Sequence, residues 1–206
     1  MKALLEGIRS EIARICPEHL RVTRKEYATK KEIADFEKQS GLHFPEELIE
    51  FWINCHFEIT LSTEIYRTVN CDDGPTFFMM EEFEYLVSYW NDNQGHDFGE
   101  EFAQDPYHDL KERGDSEHIL LENVFDRGWF PLAIDSYDGA ICIDLNPGPK
   151  GTFGQLIYIL YIHNGKSGSY DTGIASFSDL LKQYLELLKS GKAEVEEHII
   201  YPPSIF

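Results

Sequence analysis

Between Gly128 and Gln155 the chain reads GWFPLAIDSYDGAICIDLNPGPKGTFGQ, a stretch that holds Asp135, Asp138 and Asp144. Carboxylates this close together serve a calcium loop, a general acid–base pair or a tight turn. The calcium loop fails on spacing: with Gly139 as its invariant glycine, Ile134 takes the first ligand position and no glutamate stands at the last. Asp135 and Asp144 can approach each other across a hairpin, as a glycosidase-like pair requires. Aspartates at strand ends and turns, however, ordinarily hydrogen-bond nearby backbone. GPKG lacks the spacing of a phosphate loop, and no G-x-S-x-G nucleophile motif occurs. The hairpin is the strongest reading. WFPLAID (129–135) and AICIDL (140–145) are strand-like, and Asp138-Gly139 suits the positive φ of a tight turn.

The eight histidines form no H-E-x-x-H or H-x-x-x-H cluster. Cys16, Cys55, Cys71 and Cys142 stand far apart without a C-x-x-C pair, which predicts free buried thiols, not a disulfide scaffold or a zinc site. No catalytic residue, cofactor or metal ligand is assigned.

The elements around this stretch follow from periodicity and stop signals. Residues 1–15 form an amphipathic helix that ends before Pro17. A second helix starts at the capping-box pair Thr29 and Glu32, carries Ile33 and Phe36 inward, and stops at Gly41. A third has Pro45 at its first position and Leu48, Phe51, Trp52 and Cys55 as one stripe. Residues 57–70 read as a strand or hairpin, and QLIYILYIH as a continuously apolar central strand. The last helix has Ser176 and Asp179 at its cap, Leu180, Tyr184, Leu187 and Leu188 buried, and Gly191 at its end. The tail 192–206, with two prolines, is expected along the surface. Trp129 and Pro131 enter the first hairpin strand as packing residues.

Charge is the most unusual property: 18 basic against 37 acidic residues, a net of −19. Residues 71–125 alone carry 2 bases and 15 acids, a net of −13. In that segment FFMMEEFEYLVSYWNDN has enough aromatics to be ordered, while 95–118 reads as a surface excursion. Such a field repels nucleic acid and anionic membranes and speeds encounter with basic proteins. The plainer alternative is a solvated acidic face that aids solubility. No apolar run reaches membrane-spanning length and the N-terminus is no secretory signal, so a cytoplasmic protein is expected.

The order EIADFEKQSGLHFPEELIEFW, then the Gly128 stretch running on through LIYILYIH, then FSDLLKQYLELL resembles the SUKH superfamily. That superfamily includes Smi/Knr-type fungal cell-wall-assembly regulators and many bacterial toxin-immunity proteins. The matching residues are Phe36, Gly41, Phe44, Pro45, Leu48 and Phe51, then Trp129, Pro131, Asp135, Gly139, Cys142, Asp144 and Gly154, with His163 after the long strand. They cover about residues 28–56 and 128–188. The resemblance implies an α+β domain over 1–206, with a mostly antiparallel sheet packed against helices; the acidic insertion at 71–125 and the extended tail depart from the family pattern. It also implies no enzymatic activity and no cofactor. Members act by binding, and the leading expectation is an immunity protein that neutralises a polymorphic toxin. A regulator or scaffold of cell-wall or envelope assembly is the competing one. A small-molecule or sugar binder using EYLVSYWND as an aromatic platform is the third. The partner is expected to be a basic protein, neither nucleic acid nor membrane. Its surface is assigned to Glu100, Glu101, Asp105, Asp109, Asp115 and Glu117, with Asp135 and Asp138 at the hairpin.

Overall fold

The computed structural model describes residues 1–21, 27–63, 76–94, 125–134, 139–147, 151–160 and 168–205. Helix α1 (Lys2–Ile15) buries Leu5, Ile8 and Ile12, three and four residues apart, and gives way to a 3-10 turn at Pro17–Arg21. Helix α2 (Lys30–Ser40) starts at the expected capping box. Glu32 N–H donates to Thr29 Oγ1 at 3.2 Å, and Thr29 N–H donates to the Glu32 carboxylate at 2.7 Å. It ends at Gly41, whose φ of 76° lets the chain turn off the helix. Helix α3 (Glu46–Asn54) buries Leu48, Phe51 and Trp52. Pro45 stands at its N-cap, one position earlier than the sequence suggested, because its ψ of 140° is still extended.

Strand β1 (Thr60–Thr63) and strand β2 (Thr76–Met80) pair antiparallel, and helix α4 (Phe83–Asn93) follows. Strand β2 and α4 come from the acid-rich segment, yet they belong to the fold. Strand β2 lies between β1 and β3 (Trp129–Ile134), while α4 buries Phe83, Leu86 and Trp90 and leaves Glu84 and Asp92 outside. Strands β4 (Gly139–Asp144), β5 (Leu156–Leu160) and β6 (Gly168–Asp171) complete an antiparallel six-stranded sheet in chain order. Both hairpin strands are buried at every position, so neither alternates. Pro131 cannot donate to the ladder, and the register shifts between Pro131 and Ala133, a bulge that accommodates it.

Phe130 joins the sheet to the helices. Its ring lies 4.8 Å from Phe44, 5.3 Å from Phe36, 5.7 Å from Phe83 and 5.9 Å from Trp52, mostly edge to face. Helix α5 (Phe177–Lys189) packs on α1 and α3. The Asp179 N–H donates to Ser176 Oγ at its cap, and Leu180, Tyr184 and Leu188 are buried, whereas Leu187 is half-buried. The tail, expected along the surface, folds there as a hairpin, β7 (Glu194–Glu196) with β8 (Ile199–Tyr201), which packs beside β1. Ile200 is buried, the Tyr201 ring lies 4.6 Å from Phe77, and Ile205 N–H donates to the Ser62 carbonyl at 2.8 Å.

Candidate functional site

Asp144, the one carboxylate of the opening stretch within the described residues, ends β4 opposite Trp129. It is 1% exposed. Its Oδ2 accepts from Gln155 Nε2 at 2.9 Å and its Oδ1 from the Asn146 N–H at 3.0 Å. Gln155 Oε1 accepts from the Thr152 N–H at 2.8 Å, and the Asp144 and Gln155 backbones are tied at 2.9 Å. These bonds tie Asn146, Thr152 and Gln155 to the end of β4. A carboxylate committed to such donors holds structure and is not poised to take a proton from a substrate. Its proposed partner Asp135 lies outside the described residues.

Cys142 is buried too. Burial first, and the charge of Asp144 second, push its thiol well above the ordinary 9.0, so the thiolate a nucleophile needs is disfavoured. Cys16 and Cys55 are likewise buried thiols outside any disulfide, whereas Cys71 and His163 lie outside the described residues. Among the described residues no group of three or more His, Cys, Asp or Glu could hold a metal ion, and no helix is long and apolar enough to cross a membrane.

The two sequence blocks that carry the resemblance meet in space. Phe44 of the first packs on Phe130 of the second, and a methyl group added to Gly154 would come within 3.3 Å of Pro45 Cγ. Trp129 is buried beside Phe125, with ring centroids 6.1 Å apart. The sequence profile of the SMI1 / KNR4 family (SUKH-1) matches residues 27–183, taking in the first block and all but the last few residues of the second. The chain belongs to the SMI1/KNR4 family. No curated protein matches it. SUKH members are generally non-catalytic and bind protein partners.

In this SUKH-1 chain all eight carboxylates assigned to the partner surface lie outside the described residues. Glu100, Glu101, Asp105, Asp109, Asp115 and Glu117 fall in 95–124, and Asp135 and Asp138 in 135–138. What is described is where those segments attach. Trp90, in the last turns of α4, donates its indole N–H to the Arg127 carbonyl at 3.1 Å, so the chain leaves and re-enters at nearly one place. That place adjoins the Trp129 end of β3. Residues 135–138 follow the other end of β3 in sequence, about 17 Å away for a strand of this length.

The aromatic platform is not realised. Trp90 and Leu86 point into the core, where Trp90 stacks edge-on to Phe36 at 5.1 Å, and only Tyr85 of that stretch is a well-exposed ring. The reason lies in helical spacing, which turns the tryptophan to the face shared with Phe83.

Proposed function

We propose that this protein is an immunity protein that binds and neutralises a polymorphic toxin. Its acid-rich excursion is the surface that meets a basic partner. The observation that carries this reading is the net charge of −13 over residues 71–125, in a family whose members bind protein partners. A solvated loop stays soluble with far less charge. Glu100, Glu101, Asp105, Asp109, Asp115 and Glu117, with Asp135 and Asp138, form or flank the contact. Rows of carboxylates of this kind can occupy a cleft built for phosphates, which suits toxins that attack nucleic acid.

The test begins with capture of the partner from the native host, eluted at raised salt, and continues with association kinetics. Steering by charge makes the on-rate fall several-fold between low and physiological salt, as the Debye length drops from about 30 Å to about 8 Å. The off-rate changes less. The triple substitution Glu100→Gln, Glu101→Gln and Asp105→Asn reproduces that loss while the melting temperature stays nearly constant. An acidic partner, or an on-rate indifferent to both salt and substitution, overturns the assignment. A basic partner from envelope or cell-wall assembly instead of a toxin replaces the immunity role with a regulatory one.

A further inference from the structure

Strand β2 alternates. Phe78 and Met80 are buried in the core, while Phe77 (36% exposed) and Met79 (39% exposed) face outward. By contrast β3 and β4 are buried at every position, so among these strands the second face of the sheet comes to the surface at β2.

The tail hairpin extends this apolar ledge. The half-buried Tyr201 sets its ring against Phe77, with centroids 4.6 Å apart and planes at 65°. In the hairpin register Glu194 stands opposite Tyr201, and Glu196 stands opposite Ile199. Directly paired and alternate residues of two strands share one face, so both carboxylates project on the side of the Tyr201 ring. Both are exposed, and neither forms an ion pair among the described residues. The hairpin is fixed from behind. Ile200 is buried, and the ring nitrogens of His19 lie 3.0 Å from the His198 carbonyl oxygen and 3.1 Å from that of Glu58.

Charge around the ledge is negative on balance. Residues 192–206 carry one lysine against three glutamates. Arg21, which lines a pocket beside the hairpin turn, pairs with Glu18 at 3.4 Å. Of the neighbouring segments outside the described residues, 22–26 carry two bases and one acid, 64–75 one base and three acids, and 135–138 two acids. Together they add negative charge. An aromatic pair with carboxylates beside it suits a guanidinium, which stacks on a ring, donates to a carboxylate in a fork and is weakly hydrated. A second copy of this chain, at −19, brings like charge instead.

We propose that the outward face of β2 and the tail hairpin form a docking ledge for a partner protein. An arginine of that partner lies over the Phe77–Tyr201 pair, with Glu194 and Glu196 as its counter-charges. The proposal shares with the reading above only the expectation of a basic partner, and it stands whether or not that partner is a toxin. Its contribution falls on dissociation, as expected of a packed aromatic anchor, whereas distant charges act on approach.

The test uses the full chain with ¹³C-labelled methionine methyl groups. The probe is a short acetylated peptide of alternating leucine and arginine, and its counterpart has neutral citrulline in place of arginine. Met79 reports on the ledge and the buried Met80 on the core beneath it. The arginine peptide is expected to shift the Met79 methyl signal saturably and leave Met80 in place, and the citrulline peptide to bind about tenfold more weakly. Tyr201→Leu, which keeps an apolar side chain but removes the ring, should weaken the arginine peptide about threefold. Glu194→Gln with Glu196→Gln should weaken it several-fold, while Glu84→Gln with Asp92→Asn, an equal charge change on α4, should not. An unmoved Met79 signal, equal binding of both peptides, or an equal loss in the α4 pair overturns the proposal. So does light scattering that shows a dimer dissolved by Phe77→Ser, because the ledge is then taken by a second copy. The salt test above is read on the captured partner and this one on a peptide, so each reading can fail alone.

Discussion

Replacing Asp144 by asparagine is a severe test of the loop knot, because it changes one atom and almost no volume. The wild-type carboxylate accepts from Gln155 Nε2 on one oxygen and from the Asn146 N–H on the other. Asparagine offers one acceptor and one NH2 group, so one of those donors must face another donor. Turning the Gln155 amide over does not help, because its Oε1 already accepts from the Thr152 N–H. One sound bond to a charged acceptor is lost and a buried donor is orphaned. Together these cost about 2–3 kcal/mol, reduced by the relief of a buried charge to about 2 kcal/mol. For a chain of this size that lowers the melting temperature by about 4–8 °C. Equilibrium unfolding in urea gives the free energy directly. A second substitution sharpens the test. In Asp144→Asn with Gln155→Glu, the new carboxylate accepts from Thr152 and from the asparagine NH2, while the asparagine oxygen accepts from Asn146. The double variant should recover about 1 kcal/mol or more over Asp144→Asn alone. The reasoning fails if Asp144→Asn unfolds with the wild type, or if the second substitution deepens the loss.

Trp129→Ala, which empties a buried indole site beside Phe125, should cost about 3–5 kcal/mol in thermal melting and leave partner affinity per folded molecule unchanged. Gly154→Ala forces a side chain into φ 86° with its Cβ 3.3 Å from Pro45 Cγ, so about 1–2 kcal/mol should be lost in urea unfolding; a neutral result would mean the loop relaxes freely. Thr29→Ala removes the α2 cap and should cost about 1 kcal/mol, read as fraying of the first-turn amides. Hydrogen bonds from the Thr29 N–H and then its hydroxyl hold the Glu32 carboxyl below its ordinary 4.5. A depressed folded value gives stabilisation that is present above that pH and lost as pH falls through the folded value. Acid titration of the α2 amide signals should show this loss in the wild type and not in Glu32→Gln.

Local signals were read well where one residue type has one physical use. Thr29 with Glu32 marked a cap, Gly41 a left-handed stop, and the apolar runs on either side of Ser136-Tyr137 marked two strands. Burial on both faces hid nothing there, since continuous apolar runs are themselves a strand pattern. Strand β2 and α4 were harder to see, because average composition over 71–125 is dominated by carboxylates while TFFMM and the Phe83, Leu86, Trp90 stripe carry the structure. The tail hairpin gave no cue at all. Its turn is Glu197-His198 where a type I′ turn usually announces itself by Asn-Gly, and what holds it, the ring of His19, stands 179 residues away. Nothing in the spacing of His19 could have revealed two carbonyls brought to it by tertiary folding. The acids assigned to the partner surface were chosen by charge density alone, and charge density does not specify backbone path.

The bond from Trp90 to the Arg127 carbonyl has a consequence for how such a protein can change over generations. The bond ties α4 to the entry of β3, so the two ends of the intervening sequence are fixed by the described fold. Closing a flexible loop costs free energy that grows only with the logarithm of its length, about 0.6 kcal/mol for each doubling. A change in the number of residues between two such anchors therefore costs little in loop closure, and the rings packed on Phe130 keep their partners.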